Sequence, residues 1–97
     1  MPTRDVDESF WDDYDRLSPV QQRRFLSVLR RFVHDADNGT FRAALRVKPM
    51  VDHPGIWEMT WDGNDGRATF RYGREQVSGK RHIIWRRIGG HEIFREP

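Results

Sequence analysis

The residues best suited to chemistry lie in the C-terminal half of the chain, where strand-like runs carry arginines between apolar residues and the last run ends at a histidine. His91 follows the pair Gly89-Gly90, and two consecutive glycines predict a tight turn that holds this side chain at the edge of a sheet. An unperturbed imidazole titrates near pH ~6.5 and can therefore exchange protons at neutral pH. His91 is accordingly the best candidate for a catalytic residue, although a lone histidine is also common as a hydrogen-bonded surface residue.

Side-chain alternation sorts the arginines of the predicted strands. In the strand over residues 67–72, Arg67, Thr69 and Arg71 share the face that we expect to meet solvent or a ligand, while the apolar residues between them meet the helices. In the strand over residues 82–88, each face carries one arginine. The candidate site face therefore gathers one carboxylate with guanidinium groups: Glu58, Arg67, Arg71 and one of Arg86 or Arg87.

This combination suits cleavage of an RNA phosphodiester. The reaction needs a base that takes the proton of the 2′-hydroxyl, cations that hold the phosphate, and an acid that protonates the leaving 5′-oxygen. Glu58 or a histidine is the candidate base, and His91 is the candidate acid. Arg67 and Arg71 are the candidate phosphate clamp. The alternative interpretation is a solvated sheet face on which Glu58 pairs with arginines across strands.

Length and composition restrict the class of protein. The 97 residues predict one domain over 1–97 with a single modest core, and 12% aromatic content is too high for a disordered chain. The absence of cysteine excludes disulfides, thiolate zinc sites and cysteine nucleophiles. We therefore expect a cytoplasmic protein, because small secreted domains usually carry disulfides. No run approaches the roughly 18 apolar residues of a membrane span, so no membrane partner is expected.

The charge distribution favours a polyanionic partner. The net charge is +2, but residues 1–15 hold six acidic residues against one arginine, and residues 16–97 hold sixteen basic against nine acidic residues. Fifteen of the 17 basic residues are arginine, whose guanidinium binds phosphates bidentately and stacks on bases. This bias fits RNA or DNA as a partner, and a codon bias explains it equally well.

No metal and no cofactor are expected. The four histidines lie at positions 34, 53, 82 and 91, without the spacing that metal ligands require. The glycines form no phosphate-binding or dinucleotide-binding motif and are typical of turns instead.

The order of predicted elements is two helices followed by antiparallel strands. Ser9 is the predicted cap of a helix over residues 9–17, and Ser18-Pro19 begins a second helix that runs to Asp37 and ends at Asn38-Gly39. Strands are predicted at 56–61, 67–72 and 82–88, with a polar loop at 73–80 and short further strands at 93–95 and 4–6. This order predicts an α+β fold in which two N-terminal helices pack on a small antiparallel sheet of about four strands.

Four segments have a pattern that is known from one protein family. They are Leu17-Ser18-Pro19, Gly55-Ile56-Trp57-Glu58-Met59, Gly66-Arg67-Ala68-Thr69-Phe70-Arg71-Tyr72 and Trp85-Arg86-Arg87-Ile88-Gly89-Gly90-His91-Glu92-Ile93-Phe94. On the basis of these segments, nearly the whole chain resembles the RelE/ParE toxin superfamily of bacterial type II toxin–antitoxin systems. The C-terminal motif resembles the YafQ-type branch of that superfamily. The resemblance implies a RelE-like fold similar to that of microbial ribonucleases.

The resemblance also implies roles for single residues. His91 would be the general acid, Arg67 would contact the scissile phosphate, and Glu58 occupies a position at which some members place a catalytic charged residue. Together with the arginines of the sheet face, the predicted RNA-binding residues are Arg46, Lys48, His53, Arg71, Arg86 and Arg87.

The implied activity is ribosome-dependent cleavage of mRNA without a metal. The partners would be the ribosome, mRNA and a cognate antitoxin that wraps the basic face, with a toxin–antitoxin heterotetramer as an implied assembly. Two alternatives remain open, namely ParE-like inhibition of DNA gyrase by binding alone, and a non-catalytic RNA-binding module of the same fold. The general base is also open, because Asp62 and Asp65 of the predicted hairpin loop match the YafQ pattern poorly.

Overall fold

Two α-helices cover one face of a five-stranded sheet in the computed structural model, which describes residues 2–97. Within that range the elements are β1 (Thr3–Val6), α1 (Glu8–Arg16), α2 (Pro19–Asn38), β2 (Lys48–Pro49), β3 (Trp57–Thr60), β4 (Arg67–Val77) and β5 (Lys80–Gly89). Two 3₁₀ helices, Ala43–Leu45 and His91–Arg95, precede β2 and follow β5. Neither α-helix of the described chain has the length and apolarity of a membrane-spanning segment.

The sheet has the strand order β1-β5-β4-β3-β2. Neighbouring strands are antiparallel except for β1 and β5, which run parallel. The predicted α+β fold with two N-terminal helices on a small sheet is therefore confirmed, and the parallel edge strand β1 makes that sheet mixed. Parallel neighbours need a long connection, and here everything from α1 to β4 lies between the two strands.

Helix α2 begins and ends at the predicted signals. The Ser18 side chain accepts a hydrogen bond from the backbone N–H of Gln21, and the Gln21 side chain accepts one from the N–H of Ser18. This reciprocal pair satisfies two donors that the first helical turn leaves free. The helix ends at Gly39, whose φ of 81° lies in the left-handed region that glycine adopts without steric cost.

Helix α1 begins at Glu8, so the predicted cap at Ser9 is wrong. Asp7 occupies the cap position, and the Ser9 hydroxyl donates instead to the carbonyl oxygen of Arg86 at 2.8 Å. The pairing of β1 with β5 ends at Val6, so the next part of β5 has no strand neighbour on that side. Side chains of α1 therefore take over the hydrogen bonds that a strand would otherwise make.

The core between the helices and the sheet is largely aromatic. Phe32 of α2, Met59 of β3 and Phe70 of β4 are all 0% exposed. The ring centroid of Trp85 lies 5.0 Å from that of Phe32 and 5.4 Å from that of Phe70. Tilted and edge-on aromatic pairs of this kind contribute about 0.5–1.5 kcal/mol beyond the burial of their area. Four elements are thereby joined around one cluster of rings.

A β-bulge interrupts the strict alternation that we predicted for β5. The register of β4 against β5 shifts between Thr69 and Phe70, so Arg86 has no partner on β4. Trp85 and Ile88 consequently both lie in the core, although strict alternation puts them on opposite faces. The predicted assignment of residues 83–88 to faces is therefore wrong beyond the bulge.

The other face of β4 is more buried than predicted. Arg67 and Thr69 are 7% and 0% exposed, and only Arg71 lies in solvent as expected. The C-terminal 3₁₀ helix packs on this face, because a Cβ atom built on Gly89 would lie 3.0 Å from Cγ2 of Ile93. The residues predicted as a short final strand form this helix instead, and they cover the sheet rather than extend it.

Residues 73–80 form a hairpin and not the predicted polar loop. Strand β4 continues to Val77, β5 begins at Lys80, and the turn between them contains Gly79 with a φ of 79°. Most side chains of this segment are exposed, so no apolar alternation marks the strands in the sequence.

An ion pair anchors the last turns of α2 to the following loop. The Asp35 carboxylate accepts hydrogen bonds from the backbone N–H of Arg42 at 2.9 Å and from its Nε and Nη2 atoms at 2.8 Å each. These hydrogen bonds lower the pKa of Asp35 from 3.8 to about 2.

We expect the free energy of unfolding to decrease as the pH falls from 3.8 to about 2, because the unfolded chain binds more protons than the folded one in this interval. The stabilisation is complete above the interval, since both states are then ionised. Urea unfolding at several pH values measures this effect in the wild type and in Asp35→Asn, which is expected to show a smaller pH slope in this interval, since other carboxylates such as Asp65 still titrate. Equal pH slopes for the two proteins would contradict the role of this pair.

Candidate functional site

His91 is held by an aspartate from the loop between β3 and β4. The backbone N–H of His91 donates to Oδ1 of Asp65 at 3.1 Å, and the imidazole Nδ1 atom pairs with the same oxygen. Both side chains remain accessible, with 55% and 62% of their surface exposed. The hydrogen bond to the His91 side chain, the bond to its backbone and the charge of Arg67 together lower the pKa of Asp65. An ionised carboxylate therefore orients the ring and leaves Nε2 to face an incoming molecule.

The register of the sheet brings this pair together. Arg67, the first residue of β4, lies opposite Gly89, the last residue of β5. The loop before β4 and the turn after β5 consequently meet at one end of the sheet. Gly90 is required there, because a Cβ atom on it would collide with the Asp65 carboxylate. The sequence places Asp65 in the hairpin loop as a poor match to the YafQ pattern, and nothing in its local sequence indicates a partner 26 positions away.

Arg67 lies beside this pair and organises the loop. Its Nη1 atom donates to the carbonyl oxygens of Asp62 and Gly66, each at 3.0 Å. Within residues 2–97 this guanidinium makes no other hydrogen bond. Its unbonded nitrogens are not fully buried, because Thr69 Oγ1 is the one fully buried side-chain polar atom without a partner in this range. The remaining guanidinium nitrogens are therefore reached by solvent, although the residue as a whole is only 7% exposed. Arg67 is therefore mainly buried, and its charge acts beside the Asp65 carboxylate.

Glu58 lies on the same sheet face and is paired with a lysine. Its register partner on β4 is Thr69, two residues from Arg67 and two from Arg71, so all four share one face. The Glu58 carboxylate lies 3.8 Å from Nζ of Lys48 on the neighbouring strand. Its side chain is 13% exposed. The structure thus places the candidate base, the candidate clamp and Lys48 on a common surface.

Arg86 and Arg87 are less free than the sequence predicts. Arg87 donates from Nε and Nη2 to the two oxygens of Asp13 at 2.6 and 3.1 Å, and this pairing raises the pKa of Arg87. Asp13 also accepts the backbone N–H of Ile88 at 3.1 Å. Arg86 donates from Nε to the carbonyl oxygen of Pro97 at 3.1 Å. Both guanidiniums therefore hold the C-terminal half of β5 in place.

The remaining predicted RNA-binding residues lie in two different places. His53 and Arg86 line a groove of about 440 Å³ beside the C-terminal segment, together with Arg95. Arg46 lies on the helical side of the molecule, where it lines a groove against α2. The structure places Arg67, Glu58, Lys48 and Arg71 on one sheet face, and of these only Arg67 lies at the end of the sheet beside the His91–Asp65 pair. Arg46 lies apart from them, on the helical side.

A groove beside the loop that carries Asp65 is acidic. It has a volume of about 530 Å³ and lies between the helices and the loop that carries Asp65. Its charged lining residues are four carboxylates and two guanidiniums: Asp13, Asp62, Asp65, Glu92, Arg16 and Arg87. Such a lining disfavours a phosphate chain, so polyanions are expected to approach His91 from another side. Within the described chain, no group of three or more His, Asp or Glu side chains is arranged to hold a metal ion.

Comparison with known proteins identifies the fold. No protein-family model matches the sequence, and no curated protein is similar to it in sequence. Among solved structures, the YoeB/ParE toxin from Agrobacterium tumefaciens superposes with a TM-score of 0.64 at 18% identity, over 92% of this chain and 98% of that one. A chain of the E. coli DinJ–YafQ complex superposes with a TM-score of 0.64 at 11% identity, over 95% of this chain and 96% of that one. A chain of the E. coli RelBE toxin–antitoxin complex superposes with a TM-score of 0.59 at 11% identity, over 93% of this chain and 96% of that one.

The chain therefore has the RelE/ParE toxin fold over nearly its whole length, as the sequence resemblance implies. The similar chains include both branches that the sequence left open, since a YoeB/ParE toxin and YafQ superpose about equally well.

Proposed function

We propose that this protein is the toxin of a type II toxin–antitoxin pair and that it cleaves mRNA on the ribosome as a metal-free endoribonuclease. The observation that carries the proposal is the pair formed by His91 and the Asp65 carboxylate beside Arg67. A surface that acts by binding alone has no need for an imidazole that is oriented through Nδ1 and open at Nε2. This arrangement therefore favours catalysis over the gyrase-binding and non-catalytic alternatives.

In this mechanism His91 is the general acid. The 2′-oxygen attacks the phosphorus as its proton passes to the base, and the bond between phosphorus and the 5′-oxygen breaks. Nε2 of the protonated His91 gives its proton to that leaving oxygen. Asp65 stabilises the imidazolium form, as a carboxylate does for any histidine that it orients. The products are a 2′,3′-cyclic phosphate and a 5′-hydroxyl end.

The remaining roles follow the sheet face. The outer edge of Arg67 and the exposed Arg71 supply positive charge to the phosphate as its negative charge grows. Glu58 is the proposed base, and its carboxylate lies 3.8 Å from Nζ of Lys48 on the same sheet face. The basic groove that contains His53 and Arg86 would hold RNA beyond the scissile bond.

The proposed partners are a cognate antitoxin, the ribosome and mRNA. Two of the similar structures are complexes, namely DinJ–YafQ and the RelBE toxin–antitoxin complex. They support an antitoxin partner for a chain of the same fold. The excess of basic residues after position 15 supports a polyanionic substrate. A heterotetramer of two toxins and two antitoxins is the assembly that the resemblance implies.

Inducible expression with mapping of transcript ends tests the proposal. Wild-type protein is expected to generate new 5′-hydroxyl ends in translated mRNAs and to arrest translation, whereas His91→Ala is expected to do neither. His34→Ala is a matched control, because His34 is an exposed histidine on α2 that hydrogen-bonds only Asn38 within residues 2–97. A DNA-damage response that persists in His91→Ala would contradict the nuclease assignment and favour the gyrase alternative.

A further inference from the structure

A second basic groove lies on the helical side of the molecule. It has a volume of about 310 Å³ and is formed by α2, the first 3₁₀ helix and the end of β3. Four guanidiniums line it: Arg24, Arg31, Arg42 and Arg46. No carboxylate lines this groove, in contrast to the acidic groove on the other side of the β3–β4 loop.

Three of these four arginines have no partner. Arg42 is paired with Asp35, whereas the guanidiniums of the other three make no hydrogen bond and no ion pair in the described part of the chain. All three are exposed. Arg24 and Arg31 are seven positions apart on α2, which places them on nearly the same side of the helix about 10 Å apart along its axis. Concentrated, unneutralised positive charge of this kind attracts a polyanion.

Arg46 adds an independent observation. Its φ of 47° makes it the one non-glycine residue with positive φ in the described chain. A left-handed conformation is unfavourable for a long side chain and persists where the surrounding structure imposes it, often at functional sites. Here it directs the third unpaired guanidinium into the same groove as Arg24 and Arg31.

The groove borders the loop whose Asp65 holds His91. Gly63 lines the groove, and Asp65 is only two residues further along this loop. Their Cα atoms are therefore at most about 7 Å apart. The partner of His91 and its two chain neighbours, Asp65, Gly90 and Glu92, line the acidic groove on the opposite side of the loop. A phosphate chain held in the arginine groove would therefore reach His91 across this loop and not along the acidic groove.

We propose that this arginine groove binds the phosphodiester backbone of the RNA strand that is cleaved at His91. The inference rests on the proposed function for the identity of the strand and adds a binding site on α2 that holds several nucleotides away from the scissile bond. Guanidinium groups bind phosphates through two parallel hydrogen bonds, so three unpaired arginines can engage consecutive phosphates. An acidic protein segment is the competing occupant, and it makes a different prediction below.

Fluorescence anisotropy with a labelled single-stranded RNA of about 16 nucleotides tests the groove. All proteins carry His91→Ala, so that the RNA stays intact. The double variant Arg24→Gln/Arg31→Gln is compared with Arg23→Gln/Arg30→Gln, which removes the same charge from exposed positions of the same helix outside the groove. Glutamine has a helix propensity similar to that of arginine, and a matching circular dichroism spectrum and Tm verify folding.

We expect the groove variant to bind the RNA about 10-fold more weakly than the control variant. The slope of log K against log salt concentration should decrease in magnitude by about 1.4, since each phosphate contact to a single strand contributes about 0.7. Equal affinities and slopes for the two double variants would overturn the proposal. So would a groove variant that keeps RNA affinity but loses binding of a labelled polyglutamate peptide, which would assign the groove to an acidic protein.

The failure of the nuclease assignment is distinguishable from the failure of this inference. If the transcript-end experiment detects no cleavage while the groove variant still weakens RNA binding selectively, the binding site stands and the catalytic role of His91 fails. If His91→Ala abolishes cleavage while both double variants bind RNA equally, the catalytic role stands and the groove assignment fails.

Discussion

Replacing His91 by alanine is expected to reduce the rate of ribosome-dependent mRNA cleavage by the purified protein about 10²–10⁴-fold, the range that a general acid typically contributes. Asp65→Asn should reduce it about 10–100-fold, because the charge-assisted hydrogen bond to the imidazole is weakened in the transition state. The imidazole remains present in Asp65→Asn, so the smaller effect isolates the contribution of the carboxylate. Single-turnover kinetics on a defined mRNA bound to ribosomes measure both rates.

The control for this pair is Asp12→Asn. Asp12 is an exposed carboxylate on α1, and its conversion to an amide changes the net charge by the same amount as Asp65→Asn. It is expected to cleave at the wild-type rate. If Asp65→Asn also cleaves at the wild-type rate while His91→Ala is inactive, the carboxylate has no part in catalysis. If both variants cleave normally, the proposed acid is wrong.

Asp13→Ala is expected to lower the free energy of unfolding by about 3 kcal/mol and the Tm by roughly 12–20 °C. Asp13 is 7% exposed and accepts hydrogen bonds from the Arg87 guanidinium and from the backbone N–H of Ile88. Its removal leaves the partly buried Arg87 guanidinium with only the carbonyl oxygen of Glu96 as a partner, and it leaves the backbone N–H of Ile88 without its acceptor. Breaking a buried ion pair typically lowers the free energy of unfolding by about 3–5 kcal/mol. We expect the lower value here because the Arg87 side chain is 24% exposed.

Thermal and urea unfolding of Asp13→Ala and Asp15→Ala measure this cost against a matched control. Asp15 is an exposed aspartate on the same helix, so its replacement is expected to change stability by less than about 0.5 kcal/mol. The double variant Asp13→Ala/Arg87→Ala should recover part of the loss, because it removes the unpaired cation. Equal stabilities of the two single variants would mean that the Asp13–Arg87 pair does not stabilise the docking of α1 on β5.

Local sequence signals predicted most of the framework. The Ser18-Pro19 start and the Gly39 stop of α2 act through hydrogen bonds and dihedral angles within a few residues, so they are readable without a tertiary structure. The strands at β3 and at the first half of β4 were predicted for a similar reason, since their apolar residues alternate where one face meets the core. The hairpin over residues 73–80 lies beyond the core, and no such pattern marks it.

Some features of the candidate site were likewise predictable from local sequence, and others were not. The sequence by itself determined the residue types and the turn that presents His91, because a glycine pair and an arginine-rich strand are local features. Only the tertiary structure decided that Asp65 is the partner of His91, that Asp13 engages Arg87, and that Arg46 joins two arginines of α2. Each of these contacts joins residues from distant parts of the chain, and each depends on strand register, a bulge or the packing of a helix edge. Pairings over such separations follow from how the elements dock, which no short stretch of sequence encodes.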